Sequence, residues 1–360
     1  MQLQFAMRCF ITLMNSKTNS PIFFAIMAAV CYGISAPISK ILLNEIPPTQ
    51  MAALLYLGAG IGMLFVSLFD KKNYNEAKLT KQEFPYVLGM IILDIVAPIL
   101  LMFGLTQTTP ANASLLNNFE IVVTSIIALT IFKEAIGRRM WIAIILITLS
   151  SIILSVEDIS SFSFSLGSIL VLGACLCWGL ENNCTRMLSL KNPIHIVIIK
   201  GFGSGIGALI IALLVREVSF NLLYIFLGLM LGFFAFGLSI FFYIRAQRAL
   251  GAARTSAYYA IAPFVGTALS FILFHQPVTM PFVVALVIMI IGAYLAAYEN
   301  HRHPHEHETM THEHRHNHED DHHNHKHYEA STGEHSHEHL HESVFHEHEH
   351  TPDLHHTHHH

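Results

Sequence analysis

Three acidic residues stand inside apolar runs of this chain: Asp94 in LGMIILDIVAPIL, Glu120 in SLLNNFEIVVTSI and Glu181 in LCWGLENNCTR. A carboxylate in such a setting can hold a proton, part of a metal ion or an amine, but not two of them favourably at once. That is the chemistry of exchange. Ser114, Asn117, Glu120 and Thr124 follow one another at three-to-four-residue spacing, which predicts one polar stripe on a helix. Cys177, Glu181, Cys184 and Thr185 form a second stripe, with Asn182 on its flank. Asp94 precedes Pro98 by four residues, so its carbonyl loses its helical N–H partner, and Pro37 does the same to Gly33. The plainer readings are structural. The acids can pair with Lys40, Arg186 or Lys200, and Asn117, Asn118, Asn182 and Asn183 can join helices by hydrogen bonds. The cysteines suit small-residue packing better than metal ligation, and Lys200, near His195, is placed to snorkel outward.

The elements that carry these residues are set by composition. Of 360 residues, 53% are hydrophobic and 12% charged, against roughly 25% charged in a soluble domain. A bilayer core needs about 20 mostly apolar residues per helix. Ten runs qualify: 22–43, 49–69, 85–106, 110–132, 139–156, 165–188, 193–215, 220–247, 252–275 and 280–298. Runs of this length are helices rather than barrel strands. An acid in mid-span costs about 2.5 to 3.5 kcal/mol on insertion scales, so it faces the bundle interior or a wet cavity. Alternate connections collect the cations: Arg8 and Lys17; Lys71, Lys72, Lys78 and Lys81; Lys133, Arg138 and Arg139; Arg186 and Lys191; Arg245, Arg248 and Arg254. The opposite set holds little beyond Arg216 and Lys40. By the positive-inside rule both termini face the cytoplasm, with the chain in the inner or plasma membrane. The five cysteines show no disulfide pattern, and residues 1–20 hold only a short apolar patch with no small-residue cleavage site, which argues against a cleaved signal peptide.

The chain is also duplicated. AAVCYGISAPISK (28–40) matches ACLCWGLENNCTR (174–186), and FKEAI (132–136) matches FHQPV (274–278). Five spans per half is odd, so the halves lie inverted across the membrane, the mark of alternating-access transport. This pattern resembles the EamA-type transporters of the drug/metabolite transporter superfamily, over about 22–298. The shared features are ten spans, an aromatic-Gly pair in the first span of each half (Tyr32-Gly33, Trp178-Gly179) and a proline before a turn in the fourth. Two departures stand out: Pro263 corresponds to Ile121, beside Glu120, and the turn glutamate Glu134 becomes Gln276. The resemblance implies a secondary transporter, commonly an exporter of small metabolites, with a central cavity between the halves.

The predicted organisation is therefore an all-α integral membrane protein: an N-terminal segment 1–21, five-helix repeats 22–156 and 157–298, and a disordered His-rich tail 299–360. The tail alternates histidine with Glu, Asp and Asn, cannot form an apolar core, and offers imidazoles to Zn, Ni or Co. His312, His314, His316, His318, His322, His323, His325 and His327 are its densest candidates for loose, exchangeable metal sites; pH sensing is the competing role. The favoured reading is export of a divalent transition metal, with Glu120, Asp94, Asn117, Ser114, Thr124, Glu181 and Asn182 as substrate or coupling groups. The alternative is export of an amino acid or other small metabolite, with the tail sensing or buffering metal. No cofactor, no nucleic acid and no catalysis are expected. A lone in-membrane aspartate does not make an aspartyl protease, no phosphate-binding glycine loop is present, and a mere metal buffer needs only one span. Gly201, Gly203, Gly205, Gly207, Gly228 and Gly232 predict close helix contacts, within the bundle or in a homodimer.

Overall fold

The computed structural model describes residues 21–69, 81–131, 137–158, 163–188, 191–250, 255 and 258–297, with 301–306, 310–316, 335–341 and 345–350 in the tail. Eight helical stretches are long and apolar enough to cross a membrane: Pro21–Leu42, Pro48–Leu68, Lys81–Gln107, Pro110–Ile131, Arg138–Ser155, Pro193–Leu214, Leu222–Ala246 and Met280–Ala297. Leu166–Arg186 and the shorter Ala262–Phe274 occupy the places of spans six and nine, completing the ten in the expected order. Starts are marked by chemistry. Thr109 accepts the N–H of Asn112 before Pro110, Asn192 accepts those of Ile194 and His195 around Pro193, and Ser165 accepts that of Ser168. Each polar cap satisfies donors that a helix start leaves orphaned, and proline fits the first turn because its missing N–H is not needed there.

Two spans depart from the predicted continuous helix at corresponding places. Span four is helical over Pro110–Leu116 and again over Phe119–Ile131, with Asn117 and Asn118 forming a turn between. Span nine is helical at Thr255 and Tyr258–Tyr259 and again over Ala262–Phe274, with a turn at Ala260–Ile261 between. Asparagine amides compete with the helical ladder: Asn118 donates its side chain to the Leu115 carbonyl at 3.3 Å. Span one is interrupted too, at Ile34, next to the carbonyl that Pro37 deprives of a partner. Span eight contains a π-helical turn, Phe233–Leu238.

The packing map repeats on itself when the halves are exchanged. Span two lies on span seven, four on nine and five on ten; span one lies on eight as six lies on three, and one on nine as six on four. The correspondence reaches single atoms. A Cβ on Gly33 would stand 2.9 Å from the Cβ of Val265, and one on Gly179 would stand 2.7 Å from the Cβ of Val123. Because each half crosses the membrane five times, the halves are inverted. The glycine stripes serve contacts inside this bundle. A Cβ on Gly201 would meet Gly60 N at 2.4 Å, and one on Gly232 would meet Leu55 O at 2.1 Å.

A short antiparallel pair, Val156–Asp158 with Ser163–Phe164, joins the halves. In the described stretches of the tail, His301–Glu306 pairs antiparallel with Phe345–His350, and Met310–His316 with His335–His341; the alternation of histidine with other residues has the two-residue period of a strand.

Candidate functional site

Two of the three predicted acids meet at a lysine. Lys200 Nζ lies 3.1 Å from Asp94 Oδ2 and 2.9 Å from Glu181 Oε1, with the Asp94 and Glu181 side chains 0% and 2% exposed. Spans three, six and seven thus converge on one ammonium. Span two adds Tyr56, which donates to Asp94 Oδ1 at 2.6 Å and accepts from Trp178 Nε1 at 3.4 Å. Thr185, one turn from Glu181, donates to the same carboxylate oxygen that Lys200 approaches. Span seven comes close enough because glycine follows the lysine directly, Gly201 lying against Gly60.

Of the two roles expected for Lys200, the structure shows the ion pair with the in-span acids and not the outward snorkel. Its side chain is 12% exposed and turned inward to the acids. The signal was available: a lysine deep in PIHIVIIKGFGSGIG, on a chain with unpaired in-span acids, has its cheapest partner inside the bundle. Lys40 does not take that part. Its ammonium caps the end of span three, at the carbonyls of Leu105, Thr106 and Thr108, where a cation meets the negative end of the helix dipole.

Glu120 stands apart from this triad. Its Oε1 accepts from Asn182 Nδ2 at 2.6 Å, and the same amide reaches Thr124 Oγ1 at 3.4 Å. Asn183 donates to the carbonyls of Gly179 and Thr124. The predicted stripe of span four is thus divided by the turn at Asn117–Asn118. Glu120 and Thr124 face span six, whereas Ser114 and Asn117 line a small cavity about the size of one water, shared with Tyr32, Ser35 and Pro263. Cys175 donates toward the Leu116 carbonyl at the break, 3.6 Å away. All four described cysteines are free, and among the described residues no group of three or more His, Cys, Asp or Glu is placed to hold a metal. Of the tail histidines, His312, His314 and His316 are described in backbone only, and His318, His322, His323, His325 and His327 lie outside the described residues, as does Glu134.

Aromatic rings wall the space between the halves. Tyr32 packs on Phe236 and Tyr259, with centroids 6.0 and 5.9 Å away, and Tyr56 packs on the other side of Phe236 at 5.2 Å. Sequence reading singled out neither Tyr56 nor Ser35, because a tyrosine or serine in an apolar run has many uses and only its neighbours distinguish them.

Inverted repeats around a buried, charged and partly broken-helical centre are the architecture of a membrane transporter. The model of the EamA-like transporter family matches residues 19–156 and again 165–298, and the chain belongs to that family. It is similar to an uncharacterized transporter of Methanothermobacter thermautotrophicus (strain Delta H), 27% identical over 294 residues, covering 76% of this chain and 85% of that protein. It is also similar to the uncharacterized transporter YyaM of Bacillus subtilis (strain 168), 22% identical, covering 74% of this chain and 89% of that one. A solved structure named only as a crystal structure of protein shares the fold, with a TM-score of 0.58 at 14% identity over 77% of this chain and 96% of that one.

Proposed function

We propose that the protein is a proton-coupled exporter of a small solute that carries a primary amine, an amino acid or similar metabolite, with Asp94, Lys200 and Glu181 as the exchange centre. The carrying observation is the ammonium of Lys200 seated between two buried carboxylates. Such a site already selects an ammonium by charge and hydrogen bonding, and a substrate amine can compete for it. With both acids ionised the triad bears one net negative charge, which a proton or the cationic end of the cargo compensates. Glu120 and Asn182 form a second polar contact for the cargo, with Thr124 beside it, and the aromatic walls cover its apolar part.

A second reading, export of Ni, Co or Zn, is favoured by the tail, whose histidine density suits collection of cytosolic metal at loose sites such as His312 and His322. It requires Asp94 and Glu181 to release Lys200 before they can ligate. Both termini are taken as cytoplasmic on the placement of the cations. No cofactor or catalysis enters either reading. A homodimer would need a surface other than the glycine stripes, which are used within the chain.

The test is transport by the full chain and by a chain ended after Asn300, in proteoliposomes, with labelled amino acids and with Ni, Co and Zn, while internal pH is followed. Amine flux driven by a proton gradient and lost in Glu181→Gln supports the first reading. Metal flux that survives removal of the tail replaces it with the second.

A further inference from the structure

We infer that the cavity at the breaks of spans one and four is a binding site for a single desolvated sodium ion, which ties span one to spans four and nine in this conformation. Three of the four polar side chains that line it, Tyr32 being the fourth, present a buried oxygen without a hydrogen-bond partner: Ser35 Oγ, Ser114 Oγ and Asn117 Oδ1, in residues 4%, 3% and 9% exposed. A buried oxygen with no partner costs about 1–3 kcal/mol, so three around one small space call for an occupant. The space admits nothing larger than a water or a bare small ion.

The chemistry around it favours a cation. All three side chains offer oxygen, and Gly33, whose carbonyl Pro37 leaves without its helical donor, lines the same space. Pro21–Gly33 and Pro110–Leu116 end there and offer their last carbonyls, while Ser35–Leu42 and Ala262–Phe274 begin there, so the case for a cation rests on the oxygens and not on net helix charge. Carbonyls freed by unwinding and half-helix C-terminal ends are the groups that hold sodium at the midplane of other inverted-repeat transporters. The lining contains no carboxylate, so a divalent ion would keep an uncompensated charge, whereas a single charge asks less of neutral oxygens.

The location follows the internal symmetry. In the matched stretches 28–40 and 174–186, Ser35 takes the place of Glu181. One half therefore presents a carboxylate filled by the tethered cation Lys200, and the other a set of neutral oxygens with no tethered cation among the residues that line it. The site is independent of the proposed cargo and can be read without transport.

The experiment is thermal unfolding of the purified full chain in a series of sodium, potassium and choline chloride at constant ionic strength, repeated for Ser35→Ala and Ser114→Ala. A saturable rise of several degrees with sodium, absent with choline and weaker with potassium, is expected, because an ion that binds only the folded state stabilises it by mass action. Each alanine variant is expected to lose the sodium response. Equal melting in all three salts would assign the cavity to water and overturn the inference. A full sodium response in both variants would overturn it as well. If a variant does not fold, the wild-type salt series decides alone.

Discussion

At the scale of residues, Lys200 decides whether the buried acids are tolerable. Removing one partner of a buried ion pair leaves an uncompensated charge, which costs about 3–5 kcal/mol. Lys200→Met should therefore unfold at a much lower temperature than the wild type, and the double variant Lys200→Met with Asp94→Asn should recover part of the loss. Thermal melts in detergent measure both; a Lys200→Met protein as stable as the wild type would mean that the triad is not the buried pair described. Tyr56→Phe deletes one donor to a buried carboxylate, an expected loss of about 1–3 kcal/mol smaller than that of Lys200→Met. Stability alone does not separate an exchange centre from a strut. The proton dependence of amine flux does, and Glu181→Gln is expected to retain the fold while abolishing the pH dependence.

At the scale of elements, close contact and broken helices do different work. Spans two, seven and eight approach backbone to backbone through glycines that tolerate no Cβ. Gly232→Val should lose roughly 1–3 kcal/mol or more, because the Leu55 carbonyl is rigid backbone that cannot move aside as a side chain end can. The same substitution at Gly173, whose nearest neighbour is the tip of Leu100 at 3.4 Å, should cost far less, and melts of the two variants side by side check the difference. In span one, Pro37→Ala returns an N–H to the Gly33 carbonyl. The expected outcome is a straighter, more stable span with a weakened sodium response, read in the same salt series.

At the scale of the molecule, alternating access requires that one mouth closes as the other opens. At one end, Gln50 and Ser219 exchange two hydrogen bonds, at 2.9 and 2.6 Å, and Thr49 donates to Glu217 at 2.6 Å. At the other end, Lys191 pairs with Glu83 at 3.1 Å. Cysteines placed at Gln50 and Ser219 and joined by a short bis-thiol reagent should hold that mouth shut and reduce transport, with recovery on cleavage of the linker and no effect on single-cysteine controls. Unchanged flux in the cross-linked protein would mean that this end does not open during the cycle.

The order of ten spans, the duplication and the presence of buried acids were legible in the chain, because a bilayer imposes a length and an apolar composition on every helix that crosses it. The matched stretches at 28–40 and 174–186 also revealed the inversion, since five crossings per half leaves no other arrangement. What the sequence could not assign was partnership. Asp94, Glu181 and Lys200 are distant along the chain, and only the packing of spans three, six and seven brings them within 3.1 Å. The stripe from Ser114 to Thr124 read as one face because helical spacing was extended through Asn117 and Asn118; the tertiary structure divided it in two, since an asparagine turn breaks the period that the reading assumed. Local pattern fixes which residues must avoid lipid, and the meeting of the two halves fixes whom they meet instead.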